Sequence, residues 1–429
     1  MAETSDILPA LRRPDAEEIK GILHKHMMFR TARMGGARAN LHNLDMSGMD
    51  FTGHDLSHAD FTGSLLADSI FTGCKLDYAV FYTSDLRRAL LEYASLVRAD
   101  FRGANLRDAR LMGADLSGAD FREGAVAIRT RKGELQTIGS TDCGGADLRG
   151  VNLSDAKLVG VAGSQADFSN AIFRNCDMTR INLRGARLVN TNLDRTDLTM
   201  ADLRDSDLTG AIMTNTKAPM AEMHGAAMEN VLTDKPNGLT EQDLPEPLDE
   251  LLRKHGEWVG SGGSKGERLN LSGYDLRNLP NLKRACLTML KAERATFVTV
   301  DMTGGQLQAA ELNHADLRSA NFTEIDARGL QAKGAKLDGL QAFKGRFSPV
   351  PISSTVTIKC DFSGASLRHA DFRSADLTET DFTDADLTHA DFTGARLGQV
   401  KWNNTNLANA IFDDNAPAEL LARARIHVD

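Results

Sequence analysis

The sequence lacks the features of several large protein classes. No segment approaches the run of about 18 apolar residues that crosses a bilayer, and the N-terminal MAETSDILPALRR has no basic start followed by an apolar stretch. The five cysteines form no CxxC pair and are odd in number, so neither a zinc site nor a disulfide framework is indicated. We therefore expect a cytoplasmic protein without membrane contact, metal or cofactor.

Charge and catalytic motifs are equally sparse. The formal net charge of -9, with a pI near 5.7, does not favour direct nucleic-acid binding through a basic face. The run GSGGSKG lacks the GxxxxGK[ST] order that wraps phosphates, and we interpret it as a linker. Aspartates recur throughout the chain, so no carboxylate pair is singled out for acid-base work. We expect no catalytic residues and no enzyme activity.

What the sequence has in abundance is a five-residue unit. Residues 360–412 read CDFSG ASLRH ADFRS ADLTE TDFTD ADLTH ADFTG ARLGQ VKWNN TNLAN AIF. Each unit has a small residue, Asp or Asn, a central Leu or Phe, and two mostly polar residues. This period fits neither a helix of 3.6 nor a strand of 2, and it predicts a chain that turns a corner every five residues. The small and the central side chains should both point into a narrow interior.

The spacing of the phenylalanines predicts how the units stack. Central residues recur in steps of five from Leu41 to Phe121, and Phe61, Phe81 and Phe101 are twenty apart. If four units make one coil, these rings stack on one side, with coils about 4.8 Å apart and backbone hydrogen bonds between them. The same rule places Phe362, Phe382 and Trp402 on one inner side and Phe372, Phe392 and Phe412 on the opposite one. Cys74, Cys176 and Cys360 fall in the small-residue position and should be buried filler.

The unit resembles that of the pentapeptide-repeat family, whose fold is a right-handed quadrilateral β-helix. The resemblance implies an all-β solenoid, which we expect to form two lobes, each preceded by a short capping α-helix. The predicted regions are a helix cap over 1–36, a first solenoid over 37–233 with an insertion at 124–145, a linker and second capping helix over 234–266, a second solenoid over 267–415 with an irregular segment at 343–357, and a C-terminal helix cap over 416–429.

Two interruptions of the period invite different interpretations. Alternating residues around Lys132-Gly133 predict a hairpin that leaves the solenoid. The segment FKGRFSPVPISSTVT keeps the five-residue phase, because Phe347, Ile352 and Thr357 fall on the same count. The sequence leaves open whether this second segment is a loop or a degenerate part of the coil.

The two capping helices indicate internal duplication. At one constant offset, the apolar face of the first helix matches that of the second, namely Ile19, Ile22, Leu23, His26 and Phe29 against Leu248, Leu251, Leu252, His255 and Trp258. Each helix would cover the open edge of a first coil. His24, His26, His42, His54 and His58 cluster in sequence and make a metal site an alternative. The shared position of His26 and His255 favours a structural hydrogen bond instead, and we expect local distortion where His54 replaces a small residue.

The surface carries the functional prediction. In the first solenoid, arginines interleave with the outward aspartates and should balance their charge, namely Arg87, Arg88, Arg98, Arg102, Arg107 and Arg110. The last stretch is more acidic. Its carboxylates face only Arg368, Arg373, Arg396 and Lys401, and are Asp361, Asp371, Asp376, Glu379, Asp381, Asp384, Asp386 and Asp391. They are candidates for binding a protein partner, as are Arg129, Arg131 and Lys132 of the insertion. The alternatives are a solvated face that keeps the rod soluble and a tolerated surface loop.

The leading hypothesis is a non-catalytic scaffold that presents a rigid β-helical surface to a macromolecular partner. The alternative is a DNA-mimicking regulator of DNA gyrase or another topoisomerase. Family members that protect gyrase from quinolones resemble this chain in their repeat and imitate duplex charge with an acidic rod. The acidic last stretch and the insertion fit this alternative, whereas the modest net charge and the arginine-rich first solenoid do not.

Overall fold

The computed structural model describes residues 11–124, 139–236, 238–277, 279, 282–352, 356–413 and 416–424, and the backbone of 128–129 and 135–136. Its helices and strands are α1 (Ala16–Arg30), β1 (Ile128–Arg129), β2 (Leu135–Gln136), a 3-10 helix (Glu241–Asp243), α2 (Leu248–Gly260), β3 (Val350–Pro351), β4 (Thr357–Ile358) and α3 (Ala418–Ala424). The chain divides into two compact units, Met1–Asp234 and Lys235–Asp429. None of the helices within the described ranges is long and apolar enough to span a bilayer.

Outside these elements, residues twenty apart pair through parallel backbone bridges. In the first unit Asp60 pairs with Val80, and Val80 pairs with Asp100. The central Phe61 N–H donates to the Val80 carbonyl at 2.8 Å, and the Asp60 N–H donates in the other direction to the Ala39 carbonyl at 3.0 Å. Four such bridge series run through each unit, one for each five-residue step. The predicted stacking of four five-residue units per coil is therefore confirmed.

The five-residue unit turns because its polar residues satisfy the backbone locally. The Ala59 N–H donates to the Leu56 carbonyl at 2.9 Å, closing a turn in which His58 has a φ of 67°. A positive φ at this place is typical of a type II turn. The Asp60 carboxylate accepts from the Thr62 N–H at 3.0 Å, which holds the entry to the next turn. Where Asp stands at this position, as in Asp50, Asp60 and Asp100, it thus has a structural role in the turn.

The interior is filled by stacked rings. Phe61 and Phe81 lie 4.9 Å apart between ring centroids with nearly parallel planes, and Phe101 continues the stack at 5.0 Å. In the second unit Phe382 stacks between Phe362 and Trp402 at 5.4 and 5.3 Å. The predicted inner stacks are confirmed. Since each buried Phe stabilises the fold by about 1.5 to 3 kcal/mol, regular stacking makes the core the main source of stability.

α1 and α2 each pack apolar side chains against the core of their own unit. Asp15 caps α1 by accepting from the Glu18 N–H at 2.8 Å, and Ile19 packs against the first core. Leu248 of α2 is buried in the second core. The buried His26 and His255 each accept a backbone N–H, so their predicted role in a structural hydrogen bond is confirmed. At the other end of the second unit, Leu420 and Ala424 of α3 contact the core from outside the coils.

Both interruptions are hairpins. β1 pairs antiparallel with β2, and the flanking bridge from Asn105 to Asp142 spans 37 residues instead of 20. β3 pairs antiparallel with β4, and the bridge from Gln331 to Asp361 spans 30 residues.

The second hairpin settles the question that its sequence left open. Phe347 remains buried in the core, whereas Ile352 is 48% exposed and Thr357 is exposed. The segment is an insertion of ten residues, which is two repeat lengths. The five-residue phase therefore continues across it although the chain has left the coil.

Candidate partner-binding surface

The carboxylates of the last stretch are spread around the coil. Asp361 pairs with Asp381, and Asp371 pairs with Asp391, so the predicted stacking of these two pairs is confirmed. Asp376 and Asp386 belong to the two remaining bridge series. Acidic side chains consequently occupy all four sides of the terminal coils and do not gather on one face.

Most of these carboxylates also have a cationic neighbour. The ion pairs are Asp371 with Arg373 at 2.7 Å, Asp381 with Lys401 at 2.8 Å, Glu379 with Lys359 at 2.8 Å, Asp391 with Arg373 at 3.8 Å, and Asp386 with Arg368 at 3.9 Å. Asp361 accepts from the Ser363 N–H at 2.8 Å, and Asp384 from the Asn404 amide at 3.1 Å. Residues 358–413 contain nine acids against five cations, so an acidic surplus remains after this pairing.

Hydrogen bonding keeps two of these acids ionised. Burial works to raise the pKa of Asp376, but hydrogen bonds from Thr378 and Ser348 and the charge of Arg396 together lower that pKa below its usual range. Lys401 and Thr383 likewise lower the pKa of Asp381, although burial of this group works to raise it. Both groups stay negative at neutral pH, which suits a surface that recognises a cationic partner.

A recurring triplet of Asp, central residue and Arg neutralises much of the rest of the surface. Arg102 donates Nε and Nη2 to the two oxygens of Asp100 at 2.9 and 2.7 Å, and Arg87 binds Asp85 in the same fork. Arg88, Arg107 and Arg110 pair with carboxylates at 2.7, 3.3 and 2.8 Å. For these five arginines the predicted charge balance of the first unit is confirmed. Arg98 is different, since no carboxylate of the described residues lies within ion-pair distance of it.

The insertion contributes little that can be described. Arg129 belongs to β1, of which only the backbone is described. Arg131 and Lys132 lie outside the described residues. Their predicted contact with a partner stays a prediction.

An aromatic surface escaped the sequence reasoning. Tyr78, Val80 and Tyr82 alternate with the buried Ala79 and Phe81, so all three point outward from one side of one coil. Tyr78 is 45% exposed. Two of the four tyrosines in the chain therefore share one outward segment. Writing the sequence in rows of twenty would have revealed this, because the row places His58, Tyr78 and Arg98 in one column.

A cavity of about 820 Å³ lies between α1 and the first coil. Ile19, Leu23, Met27, Met49 and Leu56 line it together with charged side chains at its rim. The cavity beside α2 measures about 380 Å³, and Leu251, Leu269 and Tyr274 are among the residues that line it.

The histidines and cysteines do not assemble a reactive centre. Within the described ranges, no group of three or more His, Cys, Asp or Glu is arranged to hold a metal ion. His54 is exposed and its N–H makes the usual turn bond to the Phe51 carbonyl at 3.1 Å, so the expected local distortion is wrong. Its imidazole is among the side chains that line the cavity between α1 and the first coil. Cys74, Cys176 and Cys360 are buried, as predicted, and burial raises the pKa of Cys74 to about 11.

Comparisons with known proteins agree on the repeat. A family model described as pentapeptide repeats matches residues 55–92, 84–122, 146–185, 176–215, 306–339, 358–394 and 390–415, which together exceed half of the chain. No curated protein matches the sequence significantly.

Three solved structures illustrate the likeness. HetL, involved in heterocyst differentiation regulation in the cyanobacterium Nostoc sp. strain PCC 7120, is 19% identical over 94% of this chain and 99% of its own, with a TM-score of 0.20. A trypsin-treated variant of QnrB1, a plasmid-mediated fluoroquinolone resistance protein, is 17% identical over 46% of this chain and 93% of its own, with a TM-score of 0.32. A thylakoid-lumen protein of Arabidopsis thaliana is 34% identical over 26% of this chain and 66% of its own, with a TM-score of 0.22. These TM-scores support no argument about partners.

Proposed function

This chain belongs to the pentapeptide-repeat family, and from that premise we propose that it is a non-catalytic scaffold presenting a rigid β-helical surface to a protein partner. The family implies a right-handed quadrilateral β-helix. We propose that each of the two units is one such lobe, preceded by its capping helix, and that the protein works in the cytoplasm without binding nucleic acid directly.

One observation carries this proposal, namely that the backbone grid holds outward side chains in fixed rows while the interior is filled. Phe382 is fully buried between two rings, and the flanking Asp381 and Thr383 are held outside by bonds to Lys401 and to each other. A surface of this kind loses little conformational entropy when it binds, because its side chains are already ordered. Such preorganisation suits recognition of a macromolecule.

We place the partner-binding surface first on the terminal coils. Asp361, Asp371, Asp376, Glu379, Asp381, Asp384, Asp386 and Asp391 would supply its negative charge. Arg129, Arg131 and Lys132 of the first unit would make a separate, cationic contact with a partner. The surplus of acids over cations in this stretch supports a partner with a basic surface.

Quantitative capture from cell extract after crosslinking tests this proposal. The full chain is compared with Asp361→Asn/Asp381→Asn, which neutralises one row of the terminal coils. Asp177→Asn/Asp197→Asn is the matched control, because these two aspartates also pair in one bridge series, in the first unit. We expect the terminal variant alone to lose the partner. Recovery of no stable partner by the wild-type chain would contradict the scaffold function itself.

The acidic surplus also favours a second candidate, a DNA-mimicking regulator of DNA gyrase or another topoisomerase. Duplex DNA presents one negative charge per about 1.7 Å, whereas Arg373 and Lys401 pair with terminal carboxylates on two of the four sides. A gyrase supercoiling assay at micromolar protein distinguishes the two candidates. Inhibition would favour the mimic, and its absence would eliminate it.

A further inference from the structure

We propose that one side of the first unit binds a protein segment that carries a carboxylate. This side, called here the tyrosine face, spans three adjacent coils and consists of His58, Asp60, Thr62, Tyr78, Val80, Tyr82, Arg98, Asp100 and Arg102. The inference rests on the proposed scaffold function and names a surface and a partner chemistry for it.

Backbone pairing fixes the layout of the tyrosine face. Asp60, Val80 and Asp100 form its middle row through consecutive bridges. Along this side of one coil, successive side chains point alternately outward and inward, so the outward Tyr78 and Tyr82 flank Val80. Neighbouring coils are separated by about 4.8 Å, so the face is a flat lattice of side chains and not a pocket.

The two edges of the face are ladders of rings and cations. His58 and Tyr78 stack with centroids 5.0 Å apart and planes within 5°, and the Arg98 guanidinium lies 6.0 Å from the Tyr78 centroid. On the other edge the Arg102 guanidinium lies 5.2 Å from the Tyr82 centroid. These contacts hold the rings in place before any partner arrives, which lowers the entropic cost of binding.

The two arginines differ in charge balance. Arg102 is neutralised by its forked bonds to Asp100. Arg98 is exposed, and among the residues that the structure describes no carboxylate pairs with it. The tyrosine face therefore offers one fixed, uncompensated guanidinium beside aromatic and aliphatic surface.

That combination determines the kind of partner. Guanidinium binds a carboxylate through two parallel hydrogen bonds, and Tyr and Arg are the residue types most enriched where binding energy concentrates. Val80 and the ring of Tyr78 would accept apolar side chains that flank the partner's Asp or Glu. A segment that is both acidic and apolar fits this face, in contrast to the basic partner that the terminal coils would select.

Selection of a phage-displayed library of random 12-residue peptides on the full chain tests the inference. We expect the selected peptides to contain Asp or Glu next to apolar residues. Their dissociation constants should rise at least tenfold for Arg98→Gln and for Tyr78→Ala/Tyr82→Ala, and less for Arg98→Lys, which keeps the charge but not the fork.

Arg195→Gln is the matched control. Arg195 lies further along the same bridge series, at the same place in its unit, and pairs with Asp194 at 3.6 Å. Circular dichroism confirms that each variant is folded. Selection of no peptides, peptides without acidic residues, or equal loss with Arg195→Gln would overturn the inference. Arg98-dependent binding of a 20-base oligonucleotide would overturn it too, since the ligand would be a phosphate backbone.

The cell-extract experiment separates the two levels of the argument. If the wild-type chain retains a partner from extract but no selected peptide depends on Arg98, the tyrosine face is contradicted and the scaffold function stays intact. Failure of the wild-type chain to retain any partner contradicts the scaffold function.

Discussion

His26 and His255 make the same hydrogen bond in the two units. Nδ1 of His26 accepts from the Ala39 N–H at 3.0 Å, and Nδ1 of His255 accepts from the Leu269 N–H at 3.0 Å. Both imidazoles are buried between a capping helix and a first coil. Because Nδ1 is the acceptor, each ring must be neutral to join its cap to its coil.

The free energy of unfolding should therefore decrease as the pH is lowered from 7.5 to 5.5. Burial lowers the pKa of His26 and His255 below the usual value. At His26, the charges of Arg30 and His58 lower the pKa further, whereas Asp55 works to raise it. At His255, the charge of Arg268 lowers the pKa further. The unfolded chain takes up these protons first, so the contribution is complete above about pH 6.5 and declines as the pH decreases. Urea midpoints at the two pH values measure the effect. The double variant His26→Gln/His255→Gln should show a smaller decline, and an identical decline would contradict the assignment.

Substitutions at the core and the turn position of one five-residue repeat should differ sharply in how much they lower the free energy of unfolding. Phe382→Ala removes a fully buried ring from the stack between Phe362 and Trp402, and we expect a loss of about 2 to 5 kcal/mol. Thr383→Ala keeps the backbone bond to Asp381 and should cost under about 1 kcal/mol. Denaturant unfolding of both variants measures the difference. Equal costs would show that the five-residue register is wrong.

Deleting the second hairpin should leave a folded protein. Removal of residues 349–358 joins Ser348 to Lys359 and restores a spacing of five between the central Phe347 and Phe362. Removal of 349–357 takes out nine residues and shifts every later side chain by one position, which turns the core outward. We expect the first deletion to keep its circular dichroism spectrum and thermal midpoint within a few degrees, and the second to lose cooperative unfolding of the second unit.

The stability lost when an Asp–Arg pair is broken should depend on how deeply that pair is buried. Asp275 and Arg277 have side chains only 1% exposed, whereas the Arg87 side chain in the equivalent pair with Asp85 is 48% exposed. Arg277→Ala leaves a buried carboxylate without its main partner and should destabilise by about 3 to 5 kcal/mol. Arg87→Ala should cost no more than about 1 kcal/mol. Chemical unfolding of the two variants compares them, and equal losses would mean that burial does not govern the pair.

The sequence alone determined the repeat, its inner stacks and the duplicated caps. These depend on local rules, because one large and one small side chain per unit must point inward and the turn needs its own polar residues. The fixed offset between the helices likewise identified His26 and His255 as equivalent before any contact was visible.

Tertiary structure decided everything that depends on what lies beside a residue on the next coil. Asp371 and Arg373 are close in sequence, but Asp381 pairs with Lys401 twenty residues away. Within the part of the chain that the structure describes, no carboxylate pairs with Arg98, whose neighbours in the column are Tyr78 and Gly118. The hairpin after Phe347 was hidden because ten residues preserve a period of five. The repeat does not constrain the outward side chains, whose contacts are made with side chains of neighbouring coils. Only the folded structure therefore shows which charges are paired and which remain available to bind another molecule.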